Sequence, residues 1–404
     1  MKCDVLVVGA GPAGSTAAKY LSEKGVNVIL LDKKKFPRNK SCGGGIPLRV
    51  LDKFNYIRKD WVESYSYSIM SYSSSLKYSV DFKKNEPVLA MIIRKKFDYE
   101  LVKLAIEKGS TFIEGKTVID LKLYDDKVTI FLDDDSSIES KILIGADGVF
   151  STVAKKAGLI QKSKNISMCI YEEYNVKKDV LDKFFSEKRV CYNHVGLKGI
   201  GGYCWVFPKK EHLNIGVINF SQAKKSEKKL INLKTIYKKY FNLLKECKII
   251  PNDLEIIKLK GAGLPIHPRE KTYSDRIILC GDAAGFASPA TGEGIFYAMS
   301  SGEIAANVVY MALIENSTSE KFLSLYQKKW FKDFGKDLKL LSSFSYLWDV
   351  NTEELLRLVS KDKKLTGIVR DIMTGECSIN KNKWKMARRY YYVKLKDKFS
   401  KKRQ

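Results

Sequence analysis

Residues 7–14 read Val-Val-Gly-Ala-Gly-Pro-Ala-Gly, and this stretch decides the fold. Residues 4–8, apolar after Asp4, predict a buried strand, residues 15–24 predict a helix, and residues 27–31 predict a second strand. In such a βαβ opening one glycine makes the turn, one lets the backbone approach a pyrophosphate, and one packs the helix on the strand. The helix amino terminus adds positive potential. The stretch therefore predicts a dinucleotide site built by Gly9, Gly11, Ala13 and Gly14.

The kind of dinucleotide depends on the residues at the end of the second strand. Asp32, eighteen positions after Gly14, is placed to accept hydrogen bonds from the adenosine ribose hydroxyls. Lys33, Lys34 and Lys35 offer an alternative, because their charges suit the 2′-phosphate of NADP. The first stretch alone leaves both cofactors open.

Two later glycine segments favour FAD. Gly145-Ala146-Asp147-Gly148 and Gly281-Asp282-Ala283-Ala284-Gly285 each follow an apolar strand, and Gly292-Glu293-Gly294-Ile295 opens a predicted helix over residues 292–315. A helix amino terminus approached by small residues suits an anion or a flavin ring. Asp282 is placed to hold the ribityl or pyrophosphate region. We therefore predict that three separated segments converge around one FAD, with contacts from Asp147, Asp282, Gly292, Gly294 and Ile295.

The rest of the chain indicates a second lobe. The predicted fold class is α/β (α+β overall), with a Rossmann-like FAD-binding domain, an inserted antiparallel-sheet substrate domain and a C-terminal helical region. Ser- and Tyr-rich alternation and glycine turns predict the antiparallel strands. The FAD-binding domain is predicted to be discontinuous, over residues 1–45, 88–160 and 255–320. The substrate domain is predicted over residues 46–87 and 161–254, and the helical basic region over residues 321–404.

Composition limits the partners. Lys and Arg number 72 against 46 acidic residues, a net charge of +26, so the surface attracts phospholipid headgroups, nucleic acid or a phosphorylated substrate. Eight scattered cysteines without a CxxC pair and only three histidines argue against a metal site. The chain opens on strand-like residues and has no apolar run long enough to span a bilayer. We expect a cytoplasmic protein whose membrane contact is peripheral.

The three glycine segments, in this order, resemble the flavoprotein family that includes para-hydroxybenzoate hydroxylase, over roughly residues 1–310. Within it the chain is most similar to geranylgeranyl reductases, which saturate isoprenoid chains of archaeal membrane lipids or of the plant chlorophyll side chain. Lys40-Ser41-Cys42-Gly43-Gly44-Gly45 resembles their Cys-Gly loop beside the flavin. Tyr203-Cys204-Trp205-Val206-Phe207-Pro208 resembles their Tyr-x-Trp-x-Phe-Pro substrate motif. Alternatively, Tyr203, Trp205 and Phe207 form an ordinary strand face, since alternate residues share one side.

The resemblance implies further site residues. Arg94, in an Arg-x-x-Phe-Asp pattern, would lie near the flavin's phosphates and ribityl chain, and Val118 would offer backbone groups to adenine. A solvated Arg94 with Asp98 as a helix N-cap is the alternative. Cys42, Gly43 and Gly45 would lie beside the flavin. Cys42 is the candidate catalytic residue, with packing or a reversible disulfide as the alternatives.

The resemblance also implies the reaction and its partners. It implies an FAD-dependent reductase that saturates C=C bonds of geranylgeranyl chains, with a prenylated phospholipid such as digeranylgeranylglycerophospholipid as substrate. An external electron donor, such as ferredoxin or NADPH, would reduce the FAD. We expect peripheral contact with the anionic inner face of the membrane.

The C-terminal segment is a candidate for that contact. Residues 378–404 carry eleven Lys or Arg residues and a single acid, Asp397. Written as a helix, this segment aligns Trp384, Tyr391, Leu395 and Phe399 along one stripe. An interfacial segment, a solvated basic tail and a packing helix all fit this pattern.

Two other classes of protein compete with this interpretation. A flavin monooxygenase or halogenase on the same scaffold shares the FAD segments but lacks the Cys-Gly loop combined with the aromatic motif. A basic nucleic-acid-binding protein would account for the charge. The sequence has no helix-turn-helix, zinc or RNP-type signature, and its lysines are spread along the chain, so we predict no nucleic-acid partner.

Overall fold

The computed structural model describes residues 1–159, 166–220, 232–343 and 352–401. The chain divides into two units, each assembled from three segments. The first unit comprises Met1–Lys40, Arg94–Ile166 and Leu264–Lys339. The second unit comprises Ser41–Ile93, Ser167–Gly263 and Leu340–Gln404.

Strands and helices are numbered here in chain order over the described residues. The strands are β1 Lys2–Val8, β2 Val28–Asp32, β3 Gly45–Pro47, β4 Ser64–Ser66, β5 Ser68–Tyr72, β6 Ser79–Asp81, β7 Leu89–Met91, β8 Thr111–Glu114, β9 Val118–Leu123, β10 Val128–Leu132, β11 Ser137–Gly145, β12 Ile166–Asn175, β13 Val190–Val195, β14 Gly202–Pro208, β15 His212–Asn219, β16 Lys260–Pro265, β17 Tyr273–Ser274 and β18 Ile277–Leu279. The helices are α1 Pro12–Ser22, α2 Arg49–Lys53, α3 Arg94–Glu107, α4 Thr152–Lys156, α5 Lys178–Phe185, α6 Leu233–Glu246, α7 Ile295–Ile314, α8 Glu320–Trp330, α9 Lys336–Ser343, α10 Thr352–Ser360, α11 Lys363–Met373 and α12 Ile379–Lys401. Three 3-10 turns, at Lys59–Trp61, Leu197–Gly199 and Gly281–Ala284, and a π-helical turn at Phe331–Gly335 complete the elements.

The first unit is built on a sheet whose central strands are parallel. Its order is β17-β18-β11-β1-β2-β8, and β9 and β10 extend it as an antiparallel hairpin from β11. The pairs β18-β11, β11-β1, β1-β2 and β2-β8 are all parallel. Their carboxyl ends therefore meet at one edge, where a doubly wound sheet binds its ligand.

Helices α1 and α7 pack closely in the first unit because small residues face each other. A Cβ placed on Gly302 of α7 would lie 2.3 Å from the Ala13 carbonyl oxygen of α1. Both helices bury their apolar residues in a single cluster with the strands, together with α8 and the π-helical turn. The close crossing brings the amino-terminal ends of α1 and α7 to the same region of the unit.

The second unit contains two sheets. The larger has the order β16-β12-β15-β14-β13-β5-β6, and the smaller has the order β3-β7-β4. Most pairs are antiparallel, as predicted, but β5 and β13 are parallel. These two strands come from different segments of the unit, so no hairpin connects them.

Helices complete the second unit on two sides. Helices α5 and α6 bury apolar residues against the larger sheet. The C-terminal helices α10, α11 and α12 form another cluster with Val80 and Phe82, next to the edge strand β6. Within the described ranges, no helix combines the length and apolarity needed to cross a bilayer.

The unit boundaries differ from the predicted domain boundaries at several places. Residues 88–93 and 255–263, predicted in the FAD-binding domain, belong to the second unit. Residues 41–45, predicted in the FAD-binding domain, group with the second unit because β3 pairs with β7. The predicted third region, 321–404, divides instead between the units: α8 packs against β17 and β18, whereas α10–α12 pack beside β6. The predicted Lys-rich helix over 226–245 is observed from Leu233, and residues 221–231 lie outside the described residues.

Candidate functional site

The first glycine turn is shaped so that no side chain fits at two of its positions. Gly9 has a φ of +101°, and a Cβ there would lie 2.3 Å from the Ala146 carbonyl oxygen. A Cβ on Gly14 would lie 1.8 Å from the Gly9 carbonyl oxygen. A Cβ on Gly11 would meet only one atom within 4 Å beyond its chain neighbours, a guanidinium nitrogen of Arg38 at 3.7 Å. Since α1 begins directly after Gly11, the open space there faces a helix amino terminus and a cation, which suits a pyrophosphate.

Asp32 lies at the carboxyl end of β2 beside this turn. Its carboxylate accepts hydrogen bonds from the backbone N–H of Ala10 at 2.8 Å and of Lys34 at 2.8 Å. The Arg38 side chain approaches one of its oxygens to 3.9 Å. Asp32 therefore fixes the turn, and a carboxylate with two oxygens retains acceptor capacity for a ribose hydroxyl. The three candidates for binding the 2′-phosphate of NADP all have exposed side chains: Lys33, Lys34 and Lys35.

The three glycine segments meet within the first unit. The second segment contacts the first through the approach of Gly9 to Ala146. The third contacts it at Gly281, whose φ is +56° and where a Cβ would lie 3.0 Å from the Ala13 Cβ and 3.4 Å from the Ala298 Cβ. The segments that the sequence assigns to one nucleotide thus lie side by side at the carboxyl edge of the sheet.

Asp147 is engaged by its own loop. Its carboxylate accepts hydrogen bonds from the Ser151 hydroxyl at 2.5 Å and from the Val153 N–H at 3.1 Å, at the start of α4. Burial raises the pKa of this carboxyl above its ordinary value, while the two hydrogen bonds oppose the rise. Arg269 adds a nearby positive charge, and its guanidinium binds the carbonyl oxygens of Ala283 and Leu159. The observed partners of Asp147 organise the loop.

The third segment ends at the amino terminus of α7. Gly292 has a φ of +70°, which favours glycine, and a Cβ on Gly294 would lie 3.7 Å from an Asp282 carboxylate oxygen. Ile295 is the first residue of α7 and is 7% exposed. Glu293 accepts a hydrogen bond from the Phe296 N–H at 2.6 Å. Asp282 and the start of α7 are therefore adjacent, as the motif predicts.

Arg94 belongs to a buried cluster of two arginines around one carboxylate. It donates to Asp98 through Nε at 2.7 Å and through a second nitrogen at 2.8 Å. Arg38 donates to the same carboxylate at 3.0 Å. The side chain of Asp98 is 0% exposed and those of the arginines are 10% and 11% exposed. Because α3 begins at Arg94, Asp98 lies inside the first turns and is not the N-cap, so the solvated alternative for Arg94 is wrong.

Arg38 is a site candidate that sequence reasoning missed. It lies against Gly11, Asp32 and Asp98, and its guanidinium stacks 4.7 Å from the centre of the Phe36 ring. Its only sequence signal is its position a few residues after β2, which is too weak to single it out.

Val118 lies where β9 begins, close to the end of β2. It is 6% exposed and pairs with Leu132 of β10. Two residues earlier, the Lys116 N–H donates to the Asp32 carbonyl oxygen at 3.3 Å. The backbone just before Val118 therefore lies next to Asp32 in space, and this placement suits a contact to adenine.

In the second unit, the Cys-Gly loop lies against the aromatic strand β14. A Cβ on Gly43 would lie 3.0 Å from the Phe207 ring and 3.2 Å from the Trp205 indole nitrogen. A Cβ on Gly45 would lie 3.3 Å from the Phe207 ring. The Cys42 sulfur accepts a hydrogen bond from the Gly44 N–H at 3.3 Å. The two motifs quoted for the family resemblance are thus in direct contact.

The aromatic residues of β14 form one face. Ring centroids are 5.9 Å apart for Tyr203 and Trp205, and 6.2 Å apart for Trp205 and Phe207. Burial raises the pKa of the Tyr203 phenol above its ordinary value, so this phenol stays neutral. Trp205 is 5% exposed, and opposite it on β15 lies Gly216, where a Cβ would be 2.1 Å from the indole ring. The indole therefore needs a glycine on the neighbouring strand.

Asn214 links the aromatic face to the Cys-Gly loop. Its side-chain oxygen accepts a hydrogen bond from the Trp205 indole N–H at 2.8 Å, and its amide donates to the Cys42 carbonyl oxygen at 3.3 Å. The residue is 0% exposed. Asn214 and Gly216 were not predicted, because their roles follow from the register of β14 with β15.

Two more residues of the larger sheet hold the same loop. Tyr171 forms a hydrogen bond with Ser41, and burial raises the pKa of its phenol above the ordinary value. Lys209, 1% exposed, forms an ion pair with Glu173, and its ammonium nitrogen lies 2.9 Å from the position of a Gly44 Cβ. The loop thus has its conformation fixed by side chains from β12, β14 and β15, together with Lys209 just after β14.

Metal-ligating groups and disulfide bonds are absent from the described part of the chain. No three His, Cys, Asp or Glu side chains there are grouped to hold a metal ion. No disulfide bond joins the eight cysteines, all of which lie within the described ranges.

Comparison with known proteins identifies the family of the chain. A family model described as an FAD binding domain matches residues 2–330. The chain is 31% identical over 411 residues to digeranylgeranylglycerophospholipid reductase 1 of Methanococcoides burtonii, covering 98% of this chain and 97% of the relative.

Solved structures share the fold. A geranylgeranyl bacteriochlorophyll reductase-like protein from Thermoplasma acidophilum matches 95% of this chain and 98% of its own, with a TM-score of 0.79 and 22% identity. The flavin-dependent brominase Bmp2 matches 100% of both chains with a TM-score of 0.73 and 18% identity. At these identities the structures are evidence for the fold alone.

Proposed function

The chain belongs to the FAD-binding domain family and, within it, to the geranylgeranyl reductases, and from this membership we propose that it saturates C=C bonds of geranylgeranyl chains in digeranylgeranylglycerophospholipid. The observation that carries the proposal is the extent of the match to a named reductase, 98% of this chain. The match therefore includes the second unit, whose Cys-Gly loop and aromatic strand distinguish a reductase from a halogenase. The FAD-binding segments alone are shared by both classes.

FAD is the cofactor of this protein, and the residues at the carboxyl edge of the first sheet fit it. We propose that the α1 amino terminus at Gly11 binds the pyrophosphate, with Arg38 as a counter-charge. Asp32 would bind the ribose. Further contacts would come from Gly9, Ala13, Gly14, Arg94, Val118, Asp147, Asp282, Gly292, Gly294 and Ile295.

The aromatic face of β14 is proposed to bind the prenyl chain. When bound in its reduced form, FAD supplies a hydride, so one alkene carbon gains a hydride and the other must gain a proton. An isolated alkene is poorly polarised, and positive charge develops on carbon as the proton arrives. The π faces of Tyr203, Trp205 and Phe207 would stabilise that charge and exclude water.

Cys42 is the proposed catalytic residue nearest the alkene. A thiol is a weaker general acid than a carboxyl group or an imidazolium. Substituting Cys42 by Ser and by Ala decides its role. If the thiol donates the proton, both variants should lose activity, because a Ser hydroxyl is a far weaker acid than a thiol. Equal turnover by all three proteins would remove Cys42 from the mechanism.

We also propose an electron donor and a membrane contact, from the reaction and from the net charge of the protein. An external one- or two-electron donor, such as ferredoxin or NADPH, would reduce the FAD. The net charge of +26 would hold the protein peripherally on the anionic inner face of the membrane, in the cytoplasm.

The experiment that tests the function uses flavin-loaded protein reduced by dithionite without oxygen. Mass spectrometry of digeranylgeranylglycerophospholipid in mixed micelles should show two added hydrogen atoms per saturated double bond. A Trp205→Leu variant should lose most of this activity, while Tyr124→Leu, on a β-hairpin of the first unit, should keep it. Turnover that appears only with oxygen would indicate the monooxygenase or halogenase alternative and contradict the proposal.

A further inference from the structure

Helix α12 packs on the second unit through one face only. Ile379, Val393 and Asp397 on that face are 6%, 5% and 7% exposed. Asp397 forms ion pairs with Arg357 at 2.5 Å and with Lys361. These contacts fix the rotation of α12 about its axis, so its opposite face is turned outward.

The outward face carries a stripe of large apolar side chains, which we call the outward stripe. It comprises Trp384, Tyr391, Leu395 and Phe399, which are 72%, 62%, 55% and 64% exposed. Their spacing of seven, four and four residues places them on one side of a helix, within about 80° of arc at 100° per residue. Single exposed apolar residues are ordinary on protein surfaces, but an aligned series of four over sixteen residues marks an interaction surface.

Basic residues flank the outward stripe. Helix α12 has nine Lys or Arg residues and one acid, Asp397, which faces the core. A groove between α11 and α12 is lined by five cations and one carboxylate, that of Asp371, which is hydrogen-bonded to Arg370. The five cations are Lys363, Lys364, Lys385, Arg388 and Arg389. Tyr392, 53% exposed, lies in the same groove.

We propose that the outward stripe and the α11–α12 groove form a docking surface for an anionic phospholipid bilayer. Trp and Tyr side chains favour the boundary between headgroups and acyl chains, and Leu395 and Phe399 gain by leaving water there. Lys and Arg side chains beside the stripe reach the lipid phosphates. A nucleic acid would match the charge, but it offers no apolar phase for Leu395 and Phe399.

The inference deepens the proposed function, since it names the element that brings a lipid reductase to its substrate, but its test needs no catalysis. Flavin-loaded full-length protein is sedimented with vesicles of phosphatidylcholine alone or mixed equally with phosphatidylglycerol. Binding should occur only to the anionic vesicles. Each cation removed from the docking surface should weaken vesicle binding about fivefold at low salt, the equivalent of about 1 kcal/mol per charge.

Two matched sets of variants test the surface. The stripe variant replaces all four of its residues with Ser, and the charge variant combines Lys381→Gln, Lys385→Gln and Arg388→Gln. The control for the first is Ile257→Ser, at a residue 84% exposed elsewhere in the second unit. The control for the second is the triple variant Lys122→Gln, Lys155→Gln and Lys238→Gln. Both test variants should lose at least tenfold in vesicle affinity, and both controls should bind as wild type does.

A spectroscopic measurement covers the case in which the stripe variant fails to fold. Brominated anionic lipids should quench the fluorescence of wild-type protein, and the conservative Trp384→Phe substitution should abolish most of that quenching while vesicle binding persists. Unchanged binding by the folded stripe variant, or equal quenching in Trp384→Phe, would overturn the proposal. So would retention on a DNA duplex without preference for anionic vesicles. If vesicles bind but reduced protein saturates no lipid in micelles, the reductase function fails and the docking surface stands.

Discussion

Replacement of Asn214 by Leu tests whether the aromatic strand and the Cys-Gly loop work as one structure. The substitution keeps the number and branching of the side-chain heavy atoms but removes the hydrogen bonds to the Trp205 indole and to the Cys42 carbonyl, which measure 2.8 and 3.3 Å. It also leaves a buried indole N–H without an acceptor. Two lost hydrogen bonds of about 1 kcal/mol each and part of a desolvation penalty give about 3 kcal/mol. At about 2–4 °C per kcal/mol for a unit of this size, the melting temperature should fall by roughly 6–12 °C.

The activity of Asn214→Leu should fall more than its flavin content. The segments assigned to FAD lie in the first unit, whereas Asn214 holds the Cys-Gly loop in the second. We expect flavin content within about twofold of wild type and a loss of about tenfold in kcat, equivalent to about 1.4 kcal/mol in the barrier. Flavin absorbance, a thermal melt and steady-state kinetics on micellar lipid measure the three quantities.

Two companion variants sharpen this test. Asn214→Asp keeps an acceptor for the indole but has no donor for the Cys42 carbonyl, so it should separate the two hydrogen bonds. Asn175→Leu makes the same change at an exposed strand end and should behave as wild type. A fully stable, fully active Asn214→Leu protein would refute the reasoning, because the loop would then be positioned without this residue.

Three further predictions concern the nucleotide site and the core of the second unit. Gly14→Ala should yield largely flavin-free protein, since its Cβ would lie 1.8 Å from the Gly9 carbonyl oxygen. The control variant Gly261→Ala should bind flavin and be yellow. A yellow Gly14→Ala protein would contradict the assigned turn. Asp32→Asn should weaken FAD binding about tenfold to a hundredfold in a fluorescence titration, as loss of a charge-assisted hydrogen bond does, and unchanged affinity would remove Asp32 from the site. Burial lowers the pKa of His194 to about 4, below the value near 6.5 in the unfolded chain. The free energy of unfolding should therefore be highest above pH 6.5 and should decrease as the pH falls towards 4, by about 2 kcal/mol at pH 5. Urea midpoints should record this decline and His194→Gln should flatten it, whereas an equally steep decline in that variant would exclude His194 as the cause.

The glycine turn of the first unit could be predicted because its constraints are local. Gly9 and Gly14 exclude side chains within one turn, and their spacing in the sequence carries that information. The convergence of three distant segments also follows from simple rules, since the carboxyl ends of parallel strands meet at one edge. FAD as cofactor is confirmed by the family match over residues 2–330.

For the second unit, the sequence predicted an antiparallel sheet but not the contacts between its strands. The strand Tyr203–Phe207 was found by its motif, but Asn214 and Gly216 act through the pairing of β14 with β15. That register is fixed by the short turn between the two strands, and the motif in β14 alone does not show it. The division of the C-terminal region between the units was missed because helical periodicity shows that a face is buried but not against which partner.

The interleaving of the chain has a consequence for biosynthesis. The glycine turn emerges from the ribosome first, yet β18 and α7, which complete its sheet and its cofactor cleft, follow more than 260 residues later. The first unit therefore cannot complete its fold until most of the polypeptide has been translated. Until then its apolar strands remain exposed, and aggregation competes with folding. FAD should therefore bind only when synthesis is nearly complete, and arrested chains that end before α7 should contain no flavin.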